Sequence, residues 1–174
     1  MTEFVSSSER VGLRPLAPGD FVDVQELVRD DAVAAFLGAG RNAADLEDRL
    51  LEEIERFKRT GWGLLAVVSP ESQRFLGYVG FVPFSANDYE GPELVCAIHR
   101  EFRSLGVGID ACRQATAWGF ATHDWPRIYA CVAQANTRVM GLIQRLGMHF
   151  ICERPSLFDG VQMVFCVQHP EAAP

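Results

Sequence analysis

Apolar and other residues alternate through Val11-Gly12-Leu13-Arg14-Pro15-Leu16, the two-residue period of a strand closed by a proline. Ala17-Pro18-Gly19-Asp20 then opens a helix with Phe21, Val24, Leu27 and Val28 on one face, and a shorter apolar turn through Val33, Phe36 and Leu37 ends at Gly38. Leu46, Leu50, Ile54 and Phe57 recur at helical spacing between a capping Asn42, with Asp45 at the reciprocal position, and a stop at Gly61. The opposite face of that helix is Glu and Arg and reads as solvated.

Residues 62–69 and 75–84 are strand-like runs joined by Pro70-Glu71-Ser72-Gln73, which reads as an antiparallel hairpin with a long loop. A third strand over 93–99 pairs with them. The spacing then predicts a helix from the following glycine turn to about His123, a strand over 127–133, a helix over 136–146 stopped by Gly147, and strands over 148–153 and 161–167. The order β-α-α-β-β-β-α-β-α-β-β predicts an α/β (α+β) fold with a mixed, mostly antiparallel sheet and helices on both faces. No repeat or linker interrupts it. About eight residues at the start and residues 170–174 read as loose tails, so a single domain over 1–174 with its core at 9–168 is expected.

Composition narrows the function classes. The 174 residues are 48% hydrophobic and 22% charged, enough for one full core. A net charge of −7, with Lys58 the only lysine, leaves no basic cluster to displace counterions from nucleic acid, and no nucleic-acid partner is expected. The same acidity suits an amine-bearing substrate and equally serves solubility. The stretch MTEFVSSSER lacks a signal-peptide pattern and no 18 apolar residues run together, so a cytoplasmic protein without a membrane segment is expected. Cys96, Cys112, Cys131, Cys152 and Cys166 form no C-x-x-C pair, and His99, His123, His149 and His169 fall at no ligand spacing. Free core thiols and no metal site are the expectation.

The segment over 93–120 carries the candidate chemistry. Its apolar strand runs through Arg103-Ser104-Leu105-Gly106-Val107-Gly108 into a helix, an R-x-x-G-x-G turn. Gly106 and Gly108 lack the Cβ that would keep a ligand off the backbone, and the helix points free N–H groups and its positive end at that spot. The pattern suits an anion such as a pyrophosphate; a tight strand-to-helix turn would use the same glycines.

The element order, the ERVGLRPL stretch from Glu9, GWGLLAVV and RFLGYVGF within 61–81, the E-L-x-x-x-I-H strand at 93–99, the R-x-x-G-x-G turn, and the stretch from Asn136 to Arg145-Leu146-Gly147-Met148 together resemble the GNAT superfamily of N-acetyltransferases, in particular its RimJ/RimL-type branch. The likeness covers nearly the whole chain. It implies a sheet splayed in the middle, with acetyl-CoA as cosubstrate in a V-shaped gap between the 93–99 and 127–133 strands. There the pantetheine would pair with Ala97, Ile98 and His99, and the pyrophosphate would rest on the amides of Arg103, Ser104, Leu105, Gly106, Val107 and Gly108. Asn136 matches a family asparagine that contacts the cofactor or supports the gap; placed before a helix it is also a good N-cap. Glu93 matches a glutamate proposed as catalytic base, often through water, and reads otherwise as an exposed strand-end carboxylate.

The chain departs from its relatives at several of these places. Ser104 stands where glycine is common and Leu105 where Lys or Arg is common, so phosphate charge pairing must come from Arg103 or elsewhere. Val139 replaces a serine proposed as general acid, and Ile143 occupies the place of a tyrosine acid. Tyr129 and Cys131 are left as candidate proton donors or as core residues.

The resemblance implies an acetyl-CoA-dependent N-acetyltransferase acting on a primary amine, of a small molecule or of a peptide or protein N-terminus. An α-amino group, pKa about 7.8, is roughly a tenth neutral at pH 7, against roughly one lysine-like amine in 2,500, so a peptide N-terminus suits a weakly assisted site better. The alternative is a non-catalytic acyl-CoA-binding sensor of the same fold. The proline-bounded loop over 83–92 and residues 36–41 read as walls of the amine site or as surface loops.

Overall fold

A computed structural model describes residues 3–29, 43–155 and 160–171. The apolar turn at Val33, Phe36 and Leu37, the Asn42 cap and the 36–41 wall lie outside the described residues. Eight strands, β1 (Ser6–Ser7), β2 (Gly12–Pro15), β3 (Leu64–Val68), β4 (Phe75–Ala86), β5 (Tyr89–Ile98), β6 (Arg127–Ala133), β7 (His149–Pro155) and β8 (Val161–Gln168), form one mixed sheet in the order β1-β2-β3-β4-β5-β6-β8-β7. Four helices accompany them among the described residues: α1 (Phe21–Leu27), α2 (Ala43–Thr60), α3 (Val107–Thr122) and α4 (Thr137–Arg145). None is long and apolar enough to cross a membrane. Internal contacts group the chain into two compact units, Met1–Gly80 with Cys96–Ala115 and Phe81–Val95 with Thr116–Pro174.

In the first unit, β1 to β4 pair antiparallel, and Gly12 and Leu13 of β2 and the whole of β3 are buried. The periodic face of α2 is the buried one, Leu46, Leu50 and Ile54, and Gly61 ends the helix with φ 79° and an N–H donated to Phe57 O at 2.8 Å. Arg14 on β2 makes a two-pronged bond to the buried Asp20 at 2.7 and 2.6 Å, and Asp20 also accepts from Ala17 N–H at 2.9 Å. Those bonds fix the 3-10 turn at Pro18–Asp20 that launches α1, and burying the carboxylate is tolerable because all its charge is answered.

Residues 5–8 are not part of a loose tail. Val5 N–H bonds Leu13 O, Ser6 Oγ donates to Gln114 Oε1 at 2.9 Å, and Ser8 Oγ donates to Asp110 Oδ2 at 2.7 Å. Hydroxyl bonds to α3, more than a hundred residues away in sequence, order a serine run that has no apolar period.

In the second unit β6 pairs antiparallel with β8 over its whole length, and β8 with β7 across a bulge at Phe150/Cys152. Phe81 packs between Trp118 and Trp125, with ring centroids 6.3 and 4.9 Å away, and Gly119 leaves the room its ring needs. The expected loop over 83–92 is instead a hairpin: β4 runs on through Pro83 to Ala86, Asn87 turns with φ 53°, and β5 begins at Tyr89. Prolines need no ladder donor where a strand N–H faces away from its partner, so neither Pro83 nor Pro92 breaks its strand.

Candidate functional site

The R-x-x-G-x-G turn lies in the first unit. β5 ends at Ile98, one turn of 3-10 helix covers Arg100–Phe102, and α3 starts at Val107. Between them Ser104 and Gly106 both have left-handed backbones, with φ 68° and 82°. That conformation explains why glycine is favoured at the place Ser104 fills. Gly106 O accepts the N–H of Asp110 at 3.1 Å, while the earlier amides of the helix have no carbonyl to answer within it.

A side chain at Gly106 would be strained by its φ of 82° and would have to push aside the Arg10 guanidinium, which stands 2.5 Å from where a Cβ would be. Among the described residues, no hydrogen bond or ion pair engages that guanidinium. Ser8 fixes the main chain that carries it: Ser8 Oγ accepts from the N–H of Arg10 and of Val11 at 3.1 and 3.2 Å while donating to Asp110. The N-terminal segment thus places a cation over a turn whose Leu105 offers only an exposed aliphatic chain. Arg103 turns back along the strand and donates Nε to Ile98 O at 2.8 Å. Sequence spacing could not find Arg10, since its partner lies 96 positions along the chain.

Of the three strand residues expected to pair with a ligand, His99 donates its N–H to Leu76 O at 2.9 Å, and Ala97 O lies against Gly77. Both therefore face β4, and alternation turns the Ile98 N–H the other way.

Glu93 lies in the second unit. It is the fifth residue of β5, only 6% exposed, and not a strand-end carboxylate at the surface. Its register partner Tyr129 is the single parallel pair between β5 and β6. Just past it, the Glu93 carboxylate accepts hydrogen bonds from the Cys131 thiol and main-chain N–H. A side chain thereby answers a backbone donor of β6 where the ladder stops, as expected of a sheet that splays here.

Arg154 on β7 approaches Glu93 with Nη2 3.9 Å from Oε2. Burial pushes the Glu93 carboxyl above its ordinary range, with Arg154 and then Cys131 pulling the other way. Burial and the neighbouring carboxylate in turn push the Cys131 thiol far up, so it holds its proton as a hydrogen-bond donor. Phe84 stacks on Tyr129 with centroids 4.7 Å apart, and Tyr89 leans on the same ring at 6.2 Å. The hairpin that replaced the expected loop thus supplies an aromatic wall beside the carboxylate.

Asn136 caps α4, its side-chain oxygen accepting Val139 N–H at 3.2 Å, which leaves the amide NH2 for another partner. Ile143 is buried on the apolar face of α4 and offers no proton. Tyr129 is core, 4% exposed. All five cysteines are free; Cys112 and Cys166 are in the core, whereas Cys96 is exposed, against the expectation of uniformly buried thiols. Among the described residues no group of His, Cys, Asp and Glu is placed to hold a metal ion.

Comparison with known proteins gives the family and the fold. The acetyltransferase (GNAT) domain matches residues 10–149. The ribosomal-protein-S5-alanine acetyltransferase of Vibrio fischeri superposes with a TM-score of 0.78 at 16% identity, over 97% of this chain and 98% of its own. The spermidine N-acetyltransferase of Vibrio cholerae, solved with CoA and spermine, also gives 0.78 at 16% identity, over 95% and 99%. The yncA protein of Salmonella typhimurium, solved with its cofactor acetyl-CoA, gives 0.73 at 17% identity, over 95% and 97%.

Proposed function

The chain belongs to the GNAT acetyltransferase family, and we propose that within it the protein is an acetyl-CoA-dependent N-acetyltransferase of the RimJ/RimL type, acting in the cytoplasm on a primary amine of low pKa such as a peptide or protein N-terminus. The buried carboxylate of Glu93 carries this reading. A base that must take a proton from an ammonium near neutral pH works best when its own pKa is raised toward that range, and burial raises it.

The turn from Arg103 to Gly108 fits a pyrophosphate. Gly106 gives backbone access, the start of α3 offers free N–H groups, and Arg10 supplies the positive charge that Leu105 does not. Ile98 N–H is the strand group turned outward for an amide of the pantetheine arm, and the Asn136 NH2 is a further donor. Bound acetyl-CoA supplies an activated acetyl thioester; the remaining chemistry is proton handling.

An acceptor arrives as an ammonium and leaves as an amide, losing two protons. Glu93 takes the first and frees the lone pair that forms the new C–N bond as the C–S bond breaks. One proton ends on the departing thiol sulfur and the other in solvent. A coenzyme thiol near pKa 8.5 leaves without strong acid help, so the aliphatic residues at Val139 and Ile143 slow the reaction without blocking it. Protonated Glu93 can return its proton to the sulfur.

Isothermal titration with acetyl-CoA, followed by an acceptor screen of short peptides against spermine and free lysine, tests the reading. Micromolar binding with turnover on peptide α-amines supports it. Binding without turnover on any amine would favour an acyl-CoA sensor instead.

A further inference from the structure

Three partners hold the Arg154 side chain. Its Nε donates to Gln162 Oε1 at 2.9 Å across the β7–β8 register, and its guanidinium carbon stands 5.3 Å above the centre of the Phe84 ring. Its remaining arm reaches Glu93 at 3.9 Å, and its side chain is 20% exposed. The separation is that of an ion pair without a shared hydrogen, so the carboxylate oxygen stays able to accept a proton. We propose that Arg154 is the positioning residue of the base, holding the Glu93 carboxylate ionised and aimed in an otherwise apolar wall.

The inference rests on the reading of Glu93 as the base. A carboxylate walled by Phe84 and Tyr129 with no counter-charge would sit protonated near neutral pH and could take nothing from an ammonium. Among the described residues, the charged and titratable groups that act on it are Arg154 on β7 and Cys131 on β6, with Cys152 on β7 next to Cys131. The thiol is neutral and its bond is local, which leaves Arg154 as the group whose charge sets the ionisation. A mere brace between β7 and β8 would need Gln162 and Phe84 but not the arm on Glu93.

The test is the pH profile of kcat/KM for Arg154→Met and Arg154→Lys, with the dissociation constant of CoA as a control for folding. In Arg154→Met the acid limb should move up by about one pH unit or more, with a loss of about tenfold at neutral pH, and Arg154→Lys should recover much of the shift. CoA affinity should change by less than about twofold, the pyrophosphate turn being untouched. Gln162→Met, which removes the clamp without touching either charge, should shift the limb in the same direction by less. An acid limb that stays in place in both Arg154→Met and Gln162→Met, with CoA still bound, overturns the proposal. If Glu93→Gln keeps the acid limb of the parent, the base reading itself has failed, a result separable from failure of the Arg154 assignment alone.

Discussion

Arg10 Nη1 stands 2.5 Å from the point where a Cβ on Gly106 would lie, although the two residues are 96 apart in sequence. The contact joins the N-terminal segment to the turn that opens α3 and gives that turn a cation. Gly106→Ala must strain a backbone at φ 82° and displace the guanidinium, so CoA affinity should fall about tenfold or more. Arg10→Ala should cost about tenfold and flatten the salt dependence of binding, because a charge-assisted contact has been removed. Titration calorimetry at two salt concentrations checks both; unchanged affinity in Arg10→Ala would detach the N-terminal segment from donor binding.

The folded chain holds a proton on Glu93 at pH values where the unfolded chain has released it, since burial raises the carboxyl above its ordinary 4.5. The stability gained from that proton is full below the ordinary range and is lost as pH rises through the raised value. Glu93→Gln does not titrate. Its melting temperature relative to the parent should therefore climb in its favour between about pH 5 and about pH 8. Thermal melts across that range read the slope directly, and a difference that is flat with pH would place Glu93 in contact with water.

What the sequence disclosed, and what it hid, follows from the range of each signal. The stripe of Leu46, Leu50 and Ile54 and the stop at Gly61 are local and periodic, and they fold as read. The hairpin at 83–92 was hidden because Pro83 and Pro92 look like breakers, yet their missing donors fall where the ladder asks for none. Ser6 and Ser8 read as a tail because hydroxyls show no period until Gln114 and Asp110 are brought beside them. Glu93 was legible as a candidate base from its place in the E-L-x-x-x-I-H strand. Its burial, its bonds to Cys131 and its ion pair with Arg154 come from partners 38 and 61 positions away, which no local pattern encodes.

Gly77 lets two backbones touch. A Cβ there would overlap the Ala97 carbonyl oxygen and stand 2.8 Å from Ile98 Cα. Gly77→Ala should cost about 1–3 kcal/mol in chemical unfolding, as overpacking does, and should weaken CoA binding by moving the strand end that leads into the glycine turn. Parent-like stability would mean that β4 and β5 can separate freely at this point.

Asn136 combines a cap with a free amide. Asn136→Ala should lose about 1 kcal/mol of stability with the bond to Val139 N–H, whereas Asn136→Asp should keep the cap. If the NH2 also donates to the acyl donor, Asn136→Asp should weaken CoA binding several-fold at parent-like stability. Unfolding curves and CoA titrations on the pair separate the two roles; parent-like CoA affinity in Asn136→Asp leaves capping as its whole function.

In the proposed reaction Glu93 takes the proton that starts acetyl transfer to a primary amine. The most direct measurement is the rate of peptide α-amine acetylation from acetyl-CoA by the parent and by Glu93→Gln, each with its acetyl-CoA affinity determined. The parent should yield acetylated peptide, and the variant should lose about a hundredfold or more in rate at unchanged donor affinity. Equal rates in the two proteins would remove Glu93 from the proton transfer.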